Sequence, residues 1–361
     1  GAFAIEAALK ESGIDPASVD ECIMGCVLQA GVGQNPARQA ALKAGLPKSI
    51  SAVTVNKVCG SGLQSVMQAA QSIKAGDNTV VVAGGMENMS NAPHLAHVRS
   101  GIKFGEGALI DHMQHDGLTC PFENWGMGCA AEWIAEEYNI SREEQDVLSV
   151  ASHNKAASAT ENGWYKNEII PLEAGQIKQR ADVTKDEGVR GDSTIESLGK
   201  LRPAFAKDGT VTAGNASQIS DGGAAVIVMS QDSAREAKAT VMAKIIDYNT
   251  FGVDPKKIFT APGLGIEQLL RRNDVTIEDI DLFEINEAFA VQLLQNLQHL
   301  GLDQLKVNVG GGSVAIGHPI GASGTRVLVS LLHHLQRTGG KRGIVSLCLG
   351  GGNAVSMLVE T

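Results

Sequence analysis

The sequence is poor in aromatic residues and in positive charge. Aromatic side chains make up only 4% of the 361 residues, so the core has to be built mainly from aliphatic residues, within a hydrophobic share of 43%. The formal net charge is −10, which argues against nucleic acid or an anionic membrane as the main partner because no overall attraction is available. A chain of this length is expected to form about two domains.

Cysteine is scarce and long apolar runs are missing. Six cysteines are too few for a disulfide framework in a chain of 361 residues. No apolar run approaches the roughly 18 residues of a membrane span, and no basic and apolar leader is visible, so we expect a cytoplasmic protein with reduced thiols. Cys22 and Cys26 lie in an apolar segment and are expected to be inert core residues, whereas Cys59 and Cys348 each lie among glycines.

Glycine, in contrast, is abundant. The 42 glycines follow no Gly-X-Y period, so several stretches of backbone are expected to pass close to one another or to a ligand. One glycine-containing stretch predicts a strand over 51–58, a tight turn over 59–62, a helix over 63–74 and a buried strand over 79–85. This alternation is typical of an α/β fold.

The C-terminal part of the chain repeats this unit. A strand over 306–309, a glycine-rich turn, a helix over 323–336 and a closing strand over 343–351 follow in the same order. Three sequence matches connect the two copies: Val55-Asn56 with Val307-Asn308, Ser61-Gly62 with Ser323-Gly324, and the run Val80–Gly85 with the run that ends at Gly350-Gly351. The repeat predicts two related halves.

The segment between the halves differs in composition. From about residue 89 to residue 218 the chain is polar and contains only isolated helices. A capping box over 141–144 predicts one of them, and Gly163 is expected to end it. Because long loops in a compact protein usually have a function, we expect this insertion to cover a site.

Cys59 is the first candidate for chemistry, since it lies where a predicted strand turns into a helix. Helix amides and the helix dipole would favour its thiolate and any oxyanion formed beside it, which suits a nucleophile. The alternative is a small buried residue in a contact between helix and sheet. Taken alone, the position leaves both interpretations open.

His318 lies in a glycine-rich segment and is followed by Pro319, which fixes the backbone there. Histidine is the natural base to activate a thiol near neutral pH, although a lone histidine is often structural. Cys348 ends a predicted strand, and a thiol there could remove a proton and return it or be inert. Asn286 follows another strand and could cap a helix or hold a water molecule at an oxyanion site.

Four motifs that contain these residues resemble the thiolase family: VCGSG, NEAFA, GGGSVAIGHPIGASG and CLGGGNA. They occur in family order, and the resemblance covers essentially the whole chain. It implies an α/β fold of two βαβαβαββ halves, packed as a five-layer αβαβα sandwich with an inserted loop domain. The expected boundaries are 1–90 plus 219–238 for the N-terminal half, with its first strand missing, 91–218 for the loop domain, and 239–361 for the C-terminal half.

The resemblance also implies a mechanism. Cys59 would carry an acyl group taken from one coenzyme A thioester, and Cys348 would remove the α-proton of a second thioester. His318 would activate Cys59 and, with a water molecule placed by Asn286, stabilise the enolate. The backbone amides of Cys59 and Gly350 would form a second oxyanion site, and neither a metal nor a prosthetic group would be required.

Further residues would contact coenzyme A according to the same resemblance. They are Leu118, Met127, Arg190, Ser197, Phe205, Ala213, Ser217 and Phe289. Relatives that form acetoacetyl-CoA carry a histidine where this chain has Gly126, and they often carry a methionine where it has Ile258. A homo-oligomer, either a dimer or a tetramer, is also expected from the family.

Several functions fit these expectations to different degrees. The leading one is an acetyl-CoA acetyltransferase that condenses two acetyl-CoA molecules into acetoacetyl-CoA and free coenzyme A, or runs in reverse. The nearest alternative is a thiolase of fatty-acid breakdown that cleaves 3-ketoacyl-CoA substrates of many chain lengths. A non-catalytic binder of acyl-CoA is a third possibility. A nucleotide-binding or redox protein is disfavoured because no matching glycine or cysteine motif is present.

Overall fold

A computed structural model describes residues 1–177 and 180–361 of the chain. The strands are β1 (Glu21–Gly25), β2 (Ser51–Val55), β3 (Val80–Asn88), β4 (His94–Leu95), β5 (Ile110–Asp111), β6 (Thr119–Cys120), β7 (Trp125–Gly126), β8 (Asp221–Met229), β9 (Lys244–Gly252), β10 (Leu282–Ile285), β11 (Arg342–Leu349) and β12 (Asn353–Glu360). The short strands β4 to β7 form two separate hairpin-like pairs, and the remaining strands form two larger sheets.

The helices alternate with the long strands. They are α1 (Ala2–Ser12), α2 (Pro36–Lys43), α3 (Ser61–Ala75), α4 (Met127–Glu137), α5 (Arg142–Glu161), α6 (Ala174–Ile177), α7 (Ile195–Gly199), α8 (Gln231–Glu236), α9 (Ala261–Arg272), α10 (Ala290–Leu300), α11 (Ser313–Ile316) and α12 (Ser323–Thr338). Short 3₁₀ segments occur at Pro16–Ser18, Pro255–Thr260 and Gln304–Lys306, and a π turn at Met113–Gly117. No helix of the described residues is both long enough and apolar enough to span a membrane.

The first sheet has the strand order β2-β1-β3-β8. Strand β1 is parallel to both of its neighbours, and β8 is antiparallel to β3. The strand predicted over 51–58 ends earlier, at Val55, because the chain then enters a turn in which Val58 has a left-handed φ of 47°. The strand predicted over 79–85 continues to Asn88.

The second sheet has the order β10-β11-β12-β9. The prediction of a strand over 306–309 is wrong, since only Val307 pairs there, in a single parallel bridge with Phe283. A 3₁₀ turn ends at Lys306, and Asn308 has a left-handed φ of 46°, so the extended conformation cannot continue on either side. The predicted closing strand ends at Leu349, and β12 follows it as a hairpin partner.

The two sheets enclose a layer made of α3 and α12. Side chains such as Val66 of α3 and Leu331 of α12 share one apolar cluster with residues of both sheets. The two helices start in close contact, since a Cβ at Gly324 would lie 2.2 Å from the backbone nitrogen of Leu63, and only glycine permits this approach. With α1 and α2 outside the first sheet and α9 and α10 outside the second, the predicted five-layer αβαβα sandwich is confirmed.

The segment between the halves leaves and re-enters the first sheet at one place. Asn88, the last residue of β3, pairs with Asp221, the first residue of β8. The predicted capping box is present, with the Ser141 hydroxyl accepting from the Glu144 amide, and α5 ends just before Gly163 at φ 69°. Because α5 packs on α10 and α11, the insertion lies against the half of the molecule that carries Asn286 and His318.

Candidate active site

The turn that carries Cys59 is fixed by its own backbone and by one serine. The Lys57 amide donates to Ser61 Oγ at 2.8 Å, and that hydroxyl donates to the Val58 carbonyl at 2.6 Å. The Gly60 amide closes the turn on the Lys57 carbonyl at 3.1 Å. These bonds hold a β-branched residue at positive φ, a conformation that costs about 1–2 kcal/mol. The position of the Cys59 side chain is therefore set before any substrate binds.

Two backbone amides near the Cys59 sulfur lower the pKa of its thiol, those of Cys59 itself and of Gly350. Burial nevertheless raises the pKa of this thiol to about 12, and the charge of Glu87 acts in the same direction, while the two amides lower it. The two amides act in the direction expected from the start of a helix, but desolvation outweighs them, so Cys59 is a thiol in the resting protein. The amides remain oriented toward a charge that develops at this point.

Cys348 lies beside Cys59. It is buried near the end of β11, and burial raises its pKa well above the ordinary value, with the charge of Cys59 as the next contribution. The turn after β11 also supplies the Gly350 amide, and a Cβ at Gly350 would lie 3.2 Å from the Val58 side chain. The structure thus brings Cys59, Cys348 and Gly350 together, as the family resemblance implies.

The His318 ring is buried and its tautomer follows from its partners. Nδ1 lies 2.6 Å from Ser323 Oγ, and that hydroxyl donates its only proton to the Pro319 carbonyl at 2.9 Å. Nδ1 must therefore be the donor, which leaves a lone pair on Nε2. Burial, assisted by the charge of Arg326, lowers the His318 pKa to about 3. His318 is neutral at rest and can accept a proton at Nε2.

Asn286 lies next to this ring. Its backbone amide donates to the Ser346 carbonyl of β11 at 3.0 Å, and its Nδ2 lies 3.4 Å from His318 Nε2. The interpretation of Asn286 as a helix cap is wrong, because α10 starts at Ala290 with Phe289 as its N-cap. The side chain is instead buried and directed toward the histidine.

Glu87 connects the loops of the site and was not singled out from the sequence. Its carboxylate accepts from the Val27 and Leu28 amides at 3.1 Å each and from the Gly321 amide at 2.9 Å. The neighbouring Ile320 packs in one cluster with Cys59, which places the loop of His318 against the Cys59 turn. A carboxylate after the apolar run Val80–Gly85 was the signal that could have revealed it, since a buried carboxylate needs partners.

Comparison with known proteins agrees with this geometry. A model of the thiolase N-terminal domain matches residues 1–232, and a model of the thiolase C-terminal domain matches residues 239–361. The chain belongs to the thiolase family. It is an acyltransferase of that family, and the fold and family predicted from its motifs are confirmed.

Individual relatives of this thiolase are similar over nearly their full length. A probable acetyl-CoA acyltransferase of Staphylococcus aureus strain N315 is 52% identical over 362 residues, which cover 100% of this chain and 92% of the relative. The corresponding protein of strain COL gives the same values. The crystal structure of the Bacillus anthracis acetyl-CoA acetyltransferase matches with a TM-score of 0.94 and 43% identity, covering 99% of this chain and 91% of that one.

Most of the residues expected to contact coenzyme A group beside Cys348. The rings of Phe205 and Phe289 meet edge to face with centroids 6.1 Å apart, and Met127 packs in the same apolar cluster as Phe289 and Cys348. The Met127 amide donates to the Leu118 carbonyl at 2.9 Å, and Ser217 donates from its amide to Ala288 at 3.1 Å. These residues form one wall near the thiols.

The remaining three expected contacts are exposed, and the polar groups of two are bound locally. The Arg190 guanidinium donates to the Glu187 carbonyl at 2.8 Å. Ser197 shares a capping box with Thr194 at the start of α7, and Ala213 has an exposed side chain in the loop before β8. The structure does not join Arg190 or Ser197 to the wall around Phe289 through these contacts.

The two positions related to chain length lie near the same wall. Gly126 has φ −73° and ψ 157°, which any residue can adopt, and a Cβ there would approach nothing closer than Gln114 Nε2 at 3.4 Å. Ile258 is buried in the cluster that contains Cys348 and Phe289. The chain therefore has space at Gly126 and an aliphatic side chain, Ile258, close to the Cys348 thiol.

Proposed function

We propose that this thiolase catalyses the reversible Claisen condensation of two acetyl-CoA molecules to acetoacetyl-CoA and coenzyme A through an acetyl-Cys59 intermediate. The observation that carries the proposal is the convergence of two amides, those of Cys59 and Gly350, on one sulfur that has a second thiol, Cys348, beside it. A nucleophile with oriented oxyanion donors and a neighbouring acid or base provides the groups that acyl transfer followed by carbon–carbon bond formation requires.

The first half of the reaction transfers an acetyl group. His318 takes the Cys59 proton, and the sulfur attacks the carbonyl carbon of the first acetyl-CoA. The amides of Cys59 and Gly350 hold the oxyanion of the tetrahedral intermediate, each donor contributing roughly 3 kcal/mol. When the intermediate collapses, the carbon–sulfur bond to coenzyme A breaks, and the leaving thiolate takes the proton of Cys348. Cys348 is then a thiolate, while His318 keeps the proton at Nε2. Because both groups are neutral at rest, the charged pair exists only while the reaction proceeds.

The second half forms the carbon–carbon bond. Cys348, acting as thiolate, removes an α-proton from the second acetyl-CoA, and the enolate oxygen is stabilised by His318 with a water molecule bound to Asn286. The enolate carbon attacks the acetyl carbonyl on Cys59, and the bond to the Cys59 sulfur breaks. The Cys59 thiolate takes its proton back from His318, and Cys348 keeps the α-proton, so that all three groups return to their neutral resting forms. The coenzyme A of each substrate lies along the wall formed by Leu118, Met127, Phe205, Ser217 and Phe289, with Ala213, Arg190 and Ser197 toward its exposed end.

Mass spectrometry after incubation with acetyl-CoA tests this proposal. The parent protein should gain one acetyl group on Cys59, and Cys59→Ala should gain none and lose cleavage of acetoacetyl-CoA. Cys22→Ala is the matched control, because Cys22 is buried in a different cluster and has a similarly raised pKa. A parent that binds coenzyme A but is never acetylated would be a non-catalytic binder, and Cys59→Ala turning over at the parental rate would refute the covalent mechanism.

A thiolase with a broad chain-length range is the second candidate. The space beside Gly126 favours it, because relatives that form acetoacetyl-CoA carry a histidine there. Rates of cleavage of a C4 and a C10 3-ketoacyl-CoA separate the two functions. Gly126→His is compatible with the backbone and should shift the preference toward C4 if this space admits longer chains. Equal rates on both substrates in the parent would remove the short-chain proposal.

Assembly and location complete the proposal. The segment 98–109 exposes apolar side chains, among them Phe104, which is fully exposed, and Leu109, and this supports a homo-oligomer, either a dimer or a tetramer. The free thiols that the chemistry needs are compatible with a reducing compartment such as the cytoplasm. We also propose that residues 91–218 act as the loop domain that covers the site. Light scattering of the purified protein would determine the oligomeric state.

A further inference from the structure

The side chains behind Asn286 form a chain of hydrogen bonds that the roles above do not use. Ser313, the first residue of α11, is fully buried, and its hydroxyl donates to Asn286 Oδ1 at 2.7 Å. Arg326, in the first turn of α12, donates from Nη2 to the same hydroxyl oxygen at 2.7 Å. Arg326 therefore reaches Asn286 through a single hydroxyl group.

Arg326 sets the direction of these hydrogen bonds. A guanidinium group contains donors only, so Ser313 Oγ has to accept from it, and the single hydroxyl proton is left for Asn286 Oδ1. The Nδ2 group of Asn286 then faces His318 Nε2, which carries a lone pair. A flipped amide would place Oδ1 against that lone pair and Nδ2 protons against the Ser313 proton. One orientation of the Asn286 amide is therefore strongly favoured.

The charge of Arg326 is held among buried acidic groups. It lowers the pKa of Glu168, Asp186 and Glu284, each of which is raised overall by burial. Its Nη1 atom is buried without a hydrogen-bond partner among the described residues, whereas Nη2 donates to the Ser313 hydroxyl. The bond to Ser313 therefore contributes to fixing the orientation of this guanidinium. Charge-assisted hydrogen bonds of this kind are about twice as strong as neutral ones.

We propose that Ser313 and Arg326 are positioning residues that hold the Asn286 amide with Nδ2 toward the water molecule that, with His318, stabilises the enolate oxygen of the second thioester. This inference rests on the proposed function, since only enolate chemistry gives Asn286 that task. Neither residue touches the substrate. Removal of the Ser313 hydroxyl should slow enolate formation and leave acetylation of Cys59 by acetyl-CoA unchanged, because the oxyanion of that step is held by the amides of Cys59 and Gly350. Arg326 is replaced with its charge kept, since that charge also lowers the His318 pKa.

A double-mutant cycle tests whether Ser313 acts through Asn286. Ser313→Ala is expected to lower kcat for acetoacetyl-CoA cleavage about tenfold, the effect of one hydrogen bond, with KM within about twofold. In an Asn286→Ala background the same change should lower kcat less than about twofold. A merely structural role would give the same factor in both backgrounds and would overturn the proposal.

Partial reactions and controls separate the remaining outcomes. Ser313→Ala should slow deuterium exchange into the acetyl-CoA methyl group about tenfold, while acetyl loading of Cys59 stays within about twofold of the parent. Arg326→Lys keeps the charge but removes the planar guanidinium whose Nη2 donates to Ser313. It should lower kcat only when Asn286 is present. Ser149→Ala, another buried helical serine with one hydroxyl bond to Gln145, should leave kcat unchanged.

The proposal and the underlying function fail in different ways. If the parent neither loads acetyl on Cys59 nor cleaves any 3-ketoacyl-CoA, the proposed function is wrong and the inference falls with it. If the parent is active but Ser313→Ala slows acetyl loading as much as deuterium exchange, only the positioning role is wrong.

Discussion

The two halves of this thiolase place different chemical groups at matched turns. In the first half, four residues separate Asn56 from Ser61, and the turn carries Cys59. In the second half, fourteen residues separate the matching Asn308 from Ser323, and the longer turn carries His318 together with helix α11. In the proposed mechanism, the duplicated frame thus supplies the nucleophile from one copy and the base from the other.

The matched turns share a backbone feature but stabilise it differently. Val58 and Asn308 both have a left-handed φ, 47° and 46°. Val58 is held there by the bonds of Ser61 and by packing near Gly350. Asn308 is held by its own side chain, which exchanges hydrogen bonds with the backbone of Ile285 at 2.9 Å. The short turn is therefore stabilised by the side chain of another residue, Ser61, whereas the long turn is hydrogen-bonded directly to strand β10 by the side chain of Asn308.

Removing the reacting group of the longer turn should have the largest effect. His318→Asn keeps a polar side chain of smaller size but removes the base, and kcat for acetoacetyl-CoA cleavage should fall by about 10³-fold. The matched control is His334→Asn, since His334 is buried in α12 beside Trp164 and Tyr165. Steady-state kinetics on both variants provide the test, and a loss of less than about tenfold for His318→Asn would exclude its role as base.

The two turns should also limit stability at opposite ends of the pH scale. The His318 pKa lies near 3 in the folded chain and at 6.5 ordinarily, so the unfolded state binds the proton first as the pH falls. Stability is therefore lost between about pH 6.5 and 3, by up to roughly 1.4 kcal/mol for each pH unit. The pKa of Cys59 rises from 9.0 to about 12 in the folded chain. The contribution of Cys59 to stability is therefore lost as the pH rises through that window.

Denaturant unfolding across the pH range checks these signs. The free energy of unfolding of His318→Asn should fall less steeply than that of the parent below pH 6.5. The free energy of unfolding of Cys59→Ala should fall less steeply than that of the parent above pH 9. Differences between parent and variant are the relevant quantity, because Glu168 and Glu284 also have pKa values raised by burial. The predicted signs would be contradicted if His318→Asn changed the pH dependence of the unfolding free energy only above pH 9, or if Cys59→Ala changed it only below pH 6.5.

Sequence reasoning located the turns because glycine and proline mark them. The turn around Cys59 and the segment around His318 were both identified, and the repeat of Asn and Ser-Gly pairs predicted the two halves. The amides lower the Cys59 pKa as expected, but the larger effect of burial could not be predicted, because a position at a helix start says nothing about how much protein surrounds the sulfur. The strand predicted around Val307 is absent because Asn308 adopts a left-handed φ that ends the pairing, and the local sequence does not predict that conformation.

The supporting residues could not be predicted, because their partners are distant in sequence. Glu87 bonds the Gly321 amide across 234 positions, and Ser313 bonds Asn286 across 27. A single sequence shows neither contact. A buried charge such as Glu87 or Arg326 beside a glycine-rich segment is the kind of signal that marks such residues, although it does not name the partner.

The same substitution at the two left-handed residues sharpens the comparison. Asn308→Gly removes the side-chain bonds to Ile285 and Glu287 and leaves buried backbone groups unpaired, so it should destabilise the chain by about 3 kcal/mol. Val58→Gly loses some packing but relieves strain of about 1–2 kcal/mol, so its net effect should stay within about 1 kcal/mol. Both substitutions relieve the strain of a left-handed φ, so the difference between their losses of unfolding free energy in urea measures the contribution of the Asn308 side chain. Equal losses would refute the distinction between the two turns.

The smallest expected effect concerns the matched serines. Ser323 accepts from His318 Nδ1 and donates to the Pro319 carbonyl, whereas Ser61 accepts from the Lys57 amide and donates to Val58. Each loss should reduce stability by about 1 kcal/mol. Only Ser323→Ala frees the imidazole to change tautomer, so its kcat should fall about tenfold, while Ser61→Ala should stay within about threefold.

The contrast between these two serines depends on what each hydroxyl holds. Ser61 orders a backbone that is also closed by the Gly60 and Ser61 amides and supported by the packing of Val58 near Gly350, so the sulfur of Cys59 should keep its place when the hydroxyl is removed. The ring of His318 has no second partner at Nδ1 among the described residues, and its Nε2 proton state follows from that bond. Measuring kcat and the unfolding midpoint for both variants decides the matter. If Ser61→Ala lost more activity than Ser323→Ala, the short turn would depend on its serine more than its geometry indicates.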